Sequence, residues 1–107
     1  MTYINDEIMQ IRDRIVAAVE VEKLYLFGSY AYGTPHENSD YDFYMVIPNN
    51  GMRPIDAMSE AGMALWGTKV RRCDILAGRT ETFERRAKSF WTVEAKVAEK
   101  GVLLYER

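Results

Sequence analysis

Cysteine is nearly absent from this 107-residue chain: Cys73 stands alone. A single cysteine excludes an intramolecular disulfide and points to a reducing, cytoplasmic setting. Flanked by Asp74 in an apparent strand, it reads as a small core residue rather than a reactive thiol. Histidine is equally scarce. His36 lies in the loop Pro35-His36-Glu37-Asn38 with no His or Cys neighbour, so it reads as solvated rather than as a metal ligand. Positive charge is not in excess either, with 14 Lys and Arg against 16 Asp and Glu. The net charge of −2 provides no global field for nucleic acid and argues against direct nucleic-acid binding. No apolar run approaches the ~20 residues that span a bilayer, so no membrane association is expected. The first residues are amphipathic and carry acids, unlike a signal or transit peptide.

The chain does have an ordinary globular balance, 48% hydrophobic and 28% charged, which reads as one domain over residues 1–107 with a real core and no second lobe. Its basic residues gather late, at Lys69, Arg71, Arg72, Arg79, Arg85, Arg86 and Lys88 against Asp74, Glu81 and Glu84. That stretch reads equally as a solvated face or a phosphate-facing one.

Hydrophobic spacing lays out the elements. Ile4, Ile8, Ile11, Ile15 and Val19 recur at helical intervals and predict a first helix from about Asn5 to Glu20. Leu24 to Phe27 is a short apolar run ending at Gly28, a buried strand. Ser29 to Tyr32 reads as a short helical turn ended by Gly33, and Gly33 to Ser39 as a loop. Asp42 to Ile47 predicts a second strand, closed by Pro48-Asn49-Asn50-Gly51. Pro54 to Leu65 predicts a helix with Ile55, Met58, Ala61, Gly62 and Leu65 on its apolar side. Lys69 to Leu76 reads as a third strand punctuated by Gly78. Thr80 then N-caps a helix carrying Glu81 and Glu84 early. A last helix runs from about Phe90 to Glu99 and stops at Gly101. Leu103-Leu104-Tyr105 adds either an edge strand or a packed tail. The fold class is α/β (α+β): a small mixed sheet with helices on one face and the active site on the other.

Strand parity brings the acids together. Asp42, Tyr44 and Val46 point away from Phe43, Met45 and Ile47, while Asp74 and Arg72 point away from Cys73 and Ile75. If the apolar sets pack on the helices, Asp42 and Asp74 emerge on one face. Asp40 lies two residues before Asp42, ~6.6 Å away along extended backbone. Two carboxylates so close repel unless a cation intervenes, and hard oxygen ligands suit Mg²⁺. With Asp74 as a third acid, two ions would activate an acceptor hydroxyl and neutralise a leaving pyrophosphate. Gly28 lets backbone approach a phosphate, and Ser29 supplies a hydroxyl and an amide to its oxygens. Ser39 reads as a holder of its own loop. Arg72 is the best single candidate for a phosphate-contacting side chain. Tyr30, Tyr32 and Tyr41 surround the site, and one of them could stack on a base. Trp66 and Trp91 read as core or interface.

Gly28-Ser29-Tyr30-Ala31-Tyr32-Gly33, followed by Ser39-Asp40-Tyr41-Asp42, resembles the signature of polymerase-beta-type nucleotidyltransferases. Within that superfamily the resemblance is to the minimal nucleotidyltransferases and covers most of the chain. It implies ATP as donor, two Mg²⁺ ions on Asp40 and Asp42 with Asp74 as third acid, and a triphosphate turn at Gly28 and Ser29. Tyr32 departs from the pattern, since many relatives carry arginine immediately before the second glycine. The resemblance further implies a HEPN-class toxin as partner, silenced by transfer of AMP to a tyrosine. Two other readings stay open. One is a binding module that neutralises its partner without chemistry. The other is transfer to a small hydroxylated molecule, for which a homodimer would supply the missing lobe.

Overall fold

Isoleucine spacing sets the first helix. Ile8, Ile11 and Ile15 fall on one side of α1 (Asp6–Ala18) and are wholly buried. Asn5 caps it, its Oδ1 accepting from the Ile8 amide at 2.8 Å. These features come from a computed structural model describing residues 4–107. The chain continues through β1 (Lys23–Phe27), the four-residue α2 (Ser29–Tyr32) and β2 (Tyr41–Ile47). It then forms α3 (Pro54–Leu65), β3 (Cys73–Arg79), α4 (Thr80–Ala87), α5 (Val93–Lys100) and β4 (Val102–Glu106).

The strands form one mixed sheet in the order β3-β2-β1-β4. β1 pairs antiparallel with β2 and β4, and β2 pairs parallel with β3. A parallel pair needs a crossover, which α3 supplies. Leu24, Leu26, Phe43, Met45 and Ile47 meet α1 and α3 on one face of the sheet. On the other, Tyr44 and Val46 lie under Phe83 of α4 and Val97 of α5. The fold class is the expected one, with one amendment: the face carrying Asp42 is not bare. α4 and α5 roof its middle, and Asp74 remains exposed toward the start of β3.

Four local expectations change. β3 begins at Cys73 rather than Lys69, because its pairing partner β2 begins only at Tyr41. Gly78 lies inside β3 rather than ending it, since a Cβ there would fall on the Tyr44 hydroxyl. Thr80 is the first residue of α4, not its cap. Its hydroxyl turns to the Ile47 carbonyl at 3.2 Å, and Asn49 Oδ1 takes the Glu81 amide at 2.8 Å. α5 starts at Val93, capped by Thr92, whose Oγ1 accepts from the Ala95 amide at 3.0 Å.

α3 keeps its expected bounds but turns differently. Ala57 and Ala61 are its buried positions, and Ile55 is 64% exposed. Small side chains let α3 lie close against α1, which a row of large ones would prevent. β4 is an edge strand, settling the choice left open for Leu103 to Tyr105.

Candidate active site

Three strand ends converge on the predicted residues. Phe27, the last residue of β1, pairs with Asp42, and Asp42 pairs in turn with Asp74. Gly28 follows at φ +78°, a left-handed conformation that glycine adopts without strain. It has a second reason to be glycine. A Cβ at that position would collide with Asp42 Oδ2, with Asp42 Cγ 3.0 Å away. The turn therefore approaches the carboxylate as closely as backbone can. Ser29 opens α2, whose amides at Ala31 and Tyr32 are taken by the Gly28 carbonyl at 3.0 and 3.1 Å. Gly33 ends it, donating to the Ser29 carbonyl at 3.1 Å. Gly28→Ala should cost about 1–3 kcal/mol and abolish nucleotide binding, read as a lower thermal midpoint and a lost calorimetric signal with ATP.

Tyr41, between the two acids, faces the opposite way and fixes them. Its hydroxyl donates to Glu7 Oε1 at 2.6 Å and accepts from Asn5 Nδ2 at 3.2 Å. Its ring meets that of Tyr30 edge-on, centroids 4.6 Å apart. Both rings belong to the core, so neither Tyr30 nor Tyr41 is a stacking surface for a base. Tyr32 is the exposed tyrosine of the three. Burial and the Glu7 hydrogen bond raise the Tyr41 pKa, keeping it a neutral donor. Ser39 takes the local role expected of it: its Oγ accepts from the His36 amide at 2.9 Å.

Arg71 is the residue that sequence reasoning missed. Its guanidinium donates to the carbonyls of Glu37 and of Ser39, the latter at 3.1 Å. It also lies 5.9 Å from the centroids of both Tyr30 and Tyr41. It thereby anchors the loop that delivers Asp40. Nothing local signals this, because its partners are main-chain carbonyls some thirty residues earlier in the sequence.

The electrostatics follow from this crowding. Asp42 is partly buried, and burial together with the charges of Asp74 and Asp40 pushes its carboxyl up to about 6. Among the described residues, the ion pair made by this group of acids is Arg72 Nε to Asp40 Oδ2 at 3.9 Å. Cys73 is pushed up to about 12, by burial first and then by the surrounding carboxylates, so it is an inert thiol.

Among the described residues no three acidic, histidine or cysteine side chains already enclose a metal position. Mg²⁺ does not require such a cage. It binds through one or two carboxylates and completes its shell with water and phosphate oxygens. Under-neutralised aspartates beside a glycine turn fit an ion that arrives with its nucleotide. Asp40 and Asp42 could hold such an ion, and Asp74 could add a third oxygen ligand.

Carboxylates at strand ends thus stand beside a Gly-Ser turn on a small mixed sheet. The chain belongs to the nucleotidyltransferase domain family, whose model matches residues 8–104. Solved structures share the fold. A toxin-antitoxin crystallised with AMP-PNP aligns with a TM-score of 0.65 at 24% identity, over 96% of this chain and 75% of the other. A mutant of the toxin-antitoxin MntA-HpeT, with two aspartates changed to glutamate, gives a TM-score of 0.66 at 20% identity. It covers 96% of this chain and 75% of the other. A protein assigned as a nucleotidyltransferase from Sulfolobus solfataricus gives 0.64 at 20% identity, over 94% and 78%. No curated protein matches. Among the described residues no helix is long and apolar enough to cross a membrane.

Proposed function

We propose that this protein is a cytoplasmic antitoxin, a single domain over residues 1–107, that transfers AMP from ATP to a tyrosine of a HEPN-class toxin. The observation that carries the reading is the contact of Gly28 with Asp42, which joins a phosphate-accepting turn to the acids. Family membership supports nucleotidyl transfer, and the folds it resembles include toxin-antitoxin proteins. Mg²⁺, when bound, supplies charge neutralisation of the triphosphate and acidifies the acceptor hydroxyl.

The chain's own groups then have distinct tasks. Gly28 and Ser29 receive the β- and γ-phosphates on backbone and hydroxyl donors. The phenolic oxygen of the acceptor bonds to the α-phosphorus, and the bridging oxygen departs with pyrophosphate. The phenolic proton passes to the Asp74 carboxylate and on to water. Asp42 would have to release its own proton to hold an ion, so nucleotide loading should weaken below about pH 6, where that carboxyl holds its proton.

Intact mass spectrometry of the neighbouring gene's product, after incubation with this protein, ATP and Mg²⁺, provides the test. An AMP-sized increase that disappears with Asp40→Ala is expected. A stable complex without added mass would favour the binding module instead, the reading that exposed Tyr32 in place of arginine supports. Modification of a small molecule alone would remove the protein-acceptor reading.

A further inference from the structure

The turn that joins α4 to α5 holds its largest side chains outward. Phe90 is 84% exposed and Trp91 88%, and their rings meet edge-on with centroids 5.0 Å apart. Val93, the first residue of α5, adds a third exposed apolar side chain. Large apolar groups left together in water mark an interaction surface. The turn is not loose. Thr92 Oγ1 donates to the Arg86 carbonyl at 2.6 Å, and Arg86 Nε donates to Glu94 at 3.0 Å. The rings are presented from a fastened turn, so a partner need not order that turn on binding. Beside them lies a groove of about 470 Å³. Phe90 lines it together with three alanines, Ala87 at the end of α4 and Ala95 and Ala98 on α5. Lys88 and Lys96 line it against one acid, Glu99.

We infer that this groove docks an acidic amphipathic helix of a partner polypeptide, its apolar side laid against the rings and the alanines. Three observations select the occupant. The exposed rings stand beside a concave floor, and only an elongated apolar surface covers both. A bilayer would cover the rings and leave the floor empty. A small molecule in the groove would leave Trp91 in water, because Trp91 lies outside the lining. Alanines on the floor let a helix approach closely, with its own large side chains inserted between the walls. The two lysines favour acids on the flanks of that helix, in a chain whose net charge is otherwise −2. The docking is independent of the transfer chemistry and needs none of the acids at the strand ends.

Tryptophan emission tests this directly. Trp66 is 87% exposed, so Trp66→Phe leaves Trp91 as sole reporter in the full chain without disturbing the core. The probes are a helical peptide with leucines along one side and glutamates along the other, the same peptide with lysines for glutamates, and phosphatidylserine vesicles. Trp91 emission should move to shorter wavelength with the acidic peptide, and the basic peptide should bind at least about tenfold more weakly. Ala98→Gln, which lays a longer side chain over the floor from an exposed position, should weaken the acidic peptide about tenfold at an unchanged melting midpoint. Lys88→Glu combined with Lys96→Glu should reverse the preference between the peptides. Peptide binding should survive Asp40→Ala, so loss of transfer and loss of docking are read apart. A silent Trp91, equal binding of the two peptides, or a shift with the vesicles alone overturns the proposal. So does sedimentation as a dimer that Trp91→Ala dissociates, which would give the surface to a second copy of this chain.

Discussion

Asp42→Asn should abolish nucleotidyl transfer and at the same time make the protein harder to melt. The folded carboxyl titrates near 6 instead of its ordinary 3.8, through burial and then the charges of Asp74 and Asp40. Below pH 3.8 both folded and unfolded chains hold the proton, and Asp42 contributes nothing. Between the two values only the unfolded chain has released it, so stability falls as pH rises through about 6 and stays lower above. The penalty at pH 8 is about 1–2 kcal/mol after solvent screening, for a side chain that is only partly buried. Removing it should raise the melting midpoint by roughly 5–10 °C at pH 8. At pH 4 the gain should vanish. Transfer should fall by on the order of 10³-fold, because the amide cannot replace a charged oxygen ligand. Calorimetric scans at the two pH values, with a transfer assay beside them, measure both effects. A variant no more stable at pH 8 than at pH 4 would show that Asp42 carries no electrostatic strain.

Glu94→Ala should have the largest effect on stability away from the acids. Glu94 is 7% exposed and accepts the Tyr44 hydroxyl at 2.8 Å and Arg86 Nε at 3.0 Å. Burial alone would raise its pKa, but the hydrogen bonds from Tyr44 and Arg86 outweigh it, and the net shift is downward. The carboxylate therefore stabilises the fold above its unfolded pKa, and that contribution is lost as the solution is acidified. Truncation leaves a buried phenol and a half-exposed guanidinium without their acceptor. The cost should be about 2–4 kcal/mol, a melting midpoint lower by more than about 10 °C. Tyr44→Phe, which removes one hydroxyl and keeps the ring, should cost only about 1 kcal/mol. Equal losses in the two variants would mean that the Tyr44 hydroxyl carries the whole contribution of the carboxylate and that the Arg86 contact adds nothing.

Most of the sheet and the location of the acids were legible because short-range rules governed them. Isoleucine spacing gave α1, a glycine-bounded apolar run gave β1, and period-two parity correctly separated Asp42 from Phe43. What escaped depended on distant partners. In α3, Ala61, Met58 and Leu65 turn toward the core as expected, but contact with α1 selected Ala57 beside Ala61 and left Ile55 outside. Gly78 read as a stop because nothing local announces that Tyr44 needs the space. Of the two places expected for Trp66 and Trp91, exposure excludes the core and leaves the interface open. The roof of α4 and α5 over Tyr44 depends on Glu94, fifty residues away in sequence and showing no local pattern.

Arg71 grips the Asp40 loop through the carbonyls of Glu37 and Ser39, not through any loop side chain. Carbonyl oxygens persist whatever residues carry them. The segment from Thr34 to Asn38 is thereby released from the task of placing Asp40. It can drift in charge and shape while the geometry of the acids stays still.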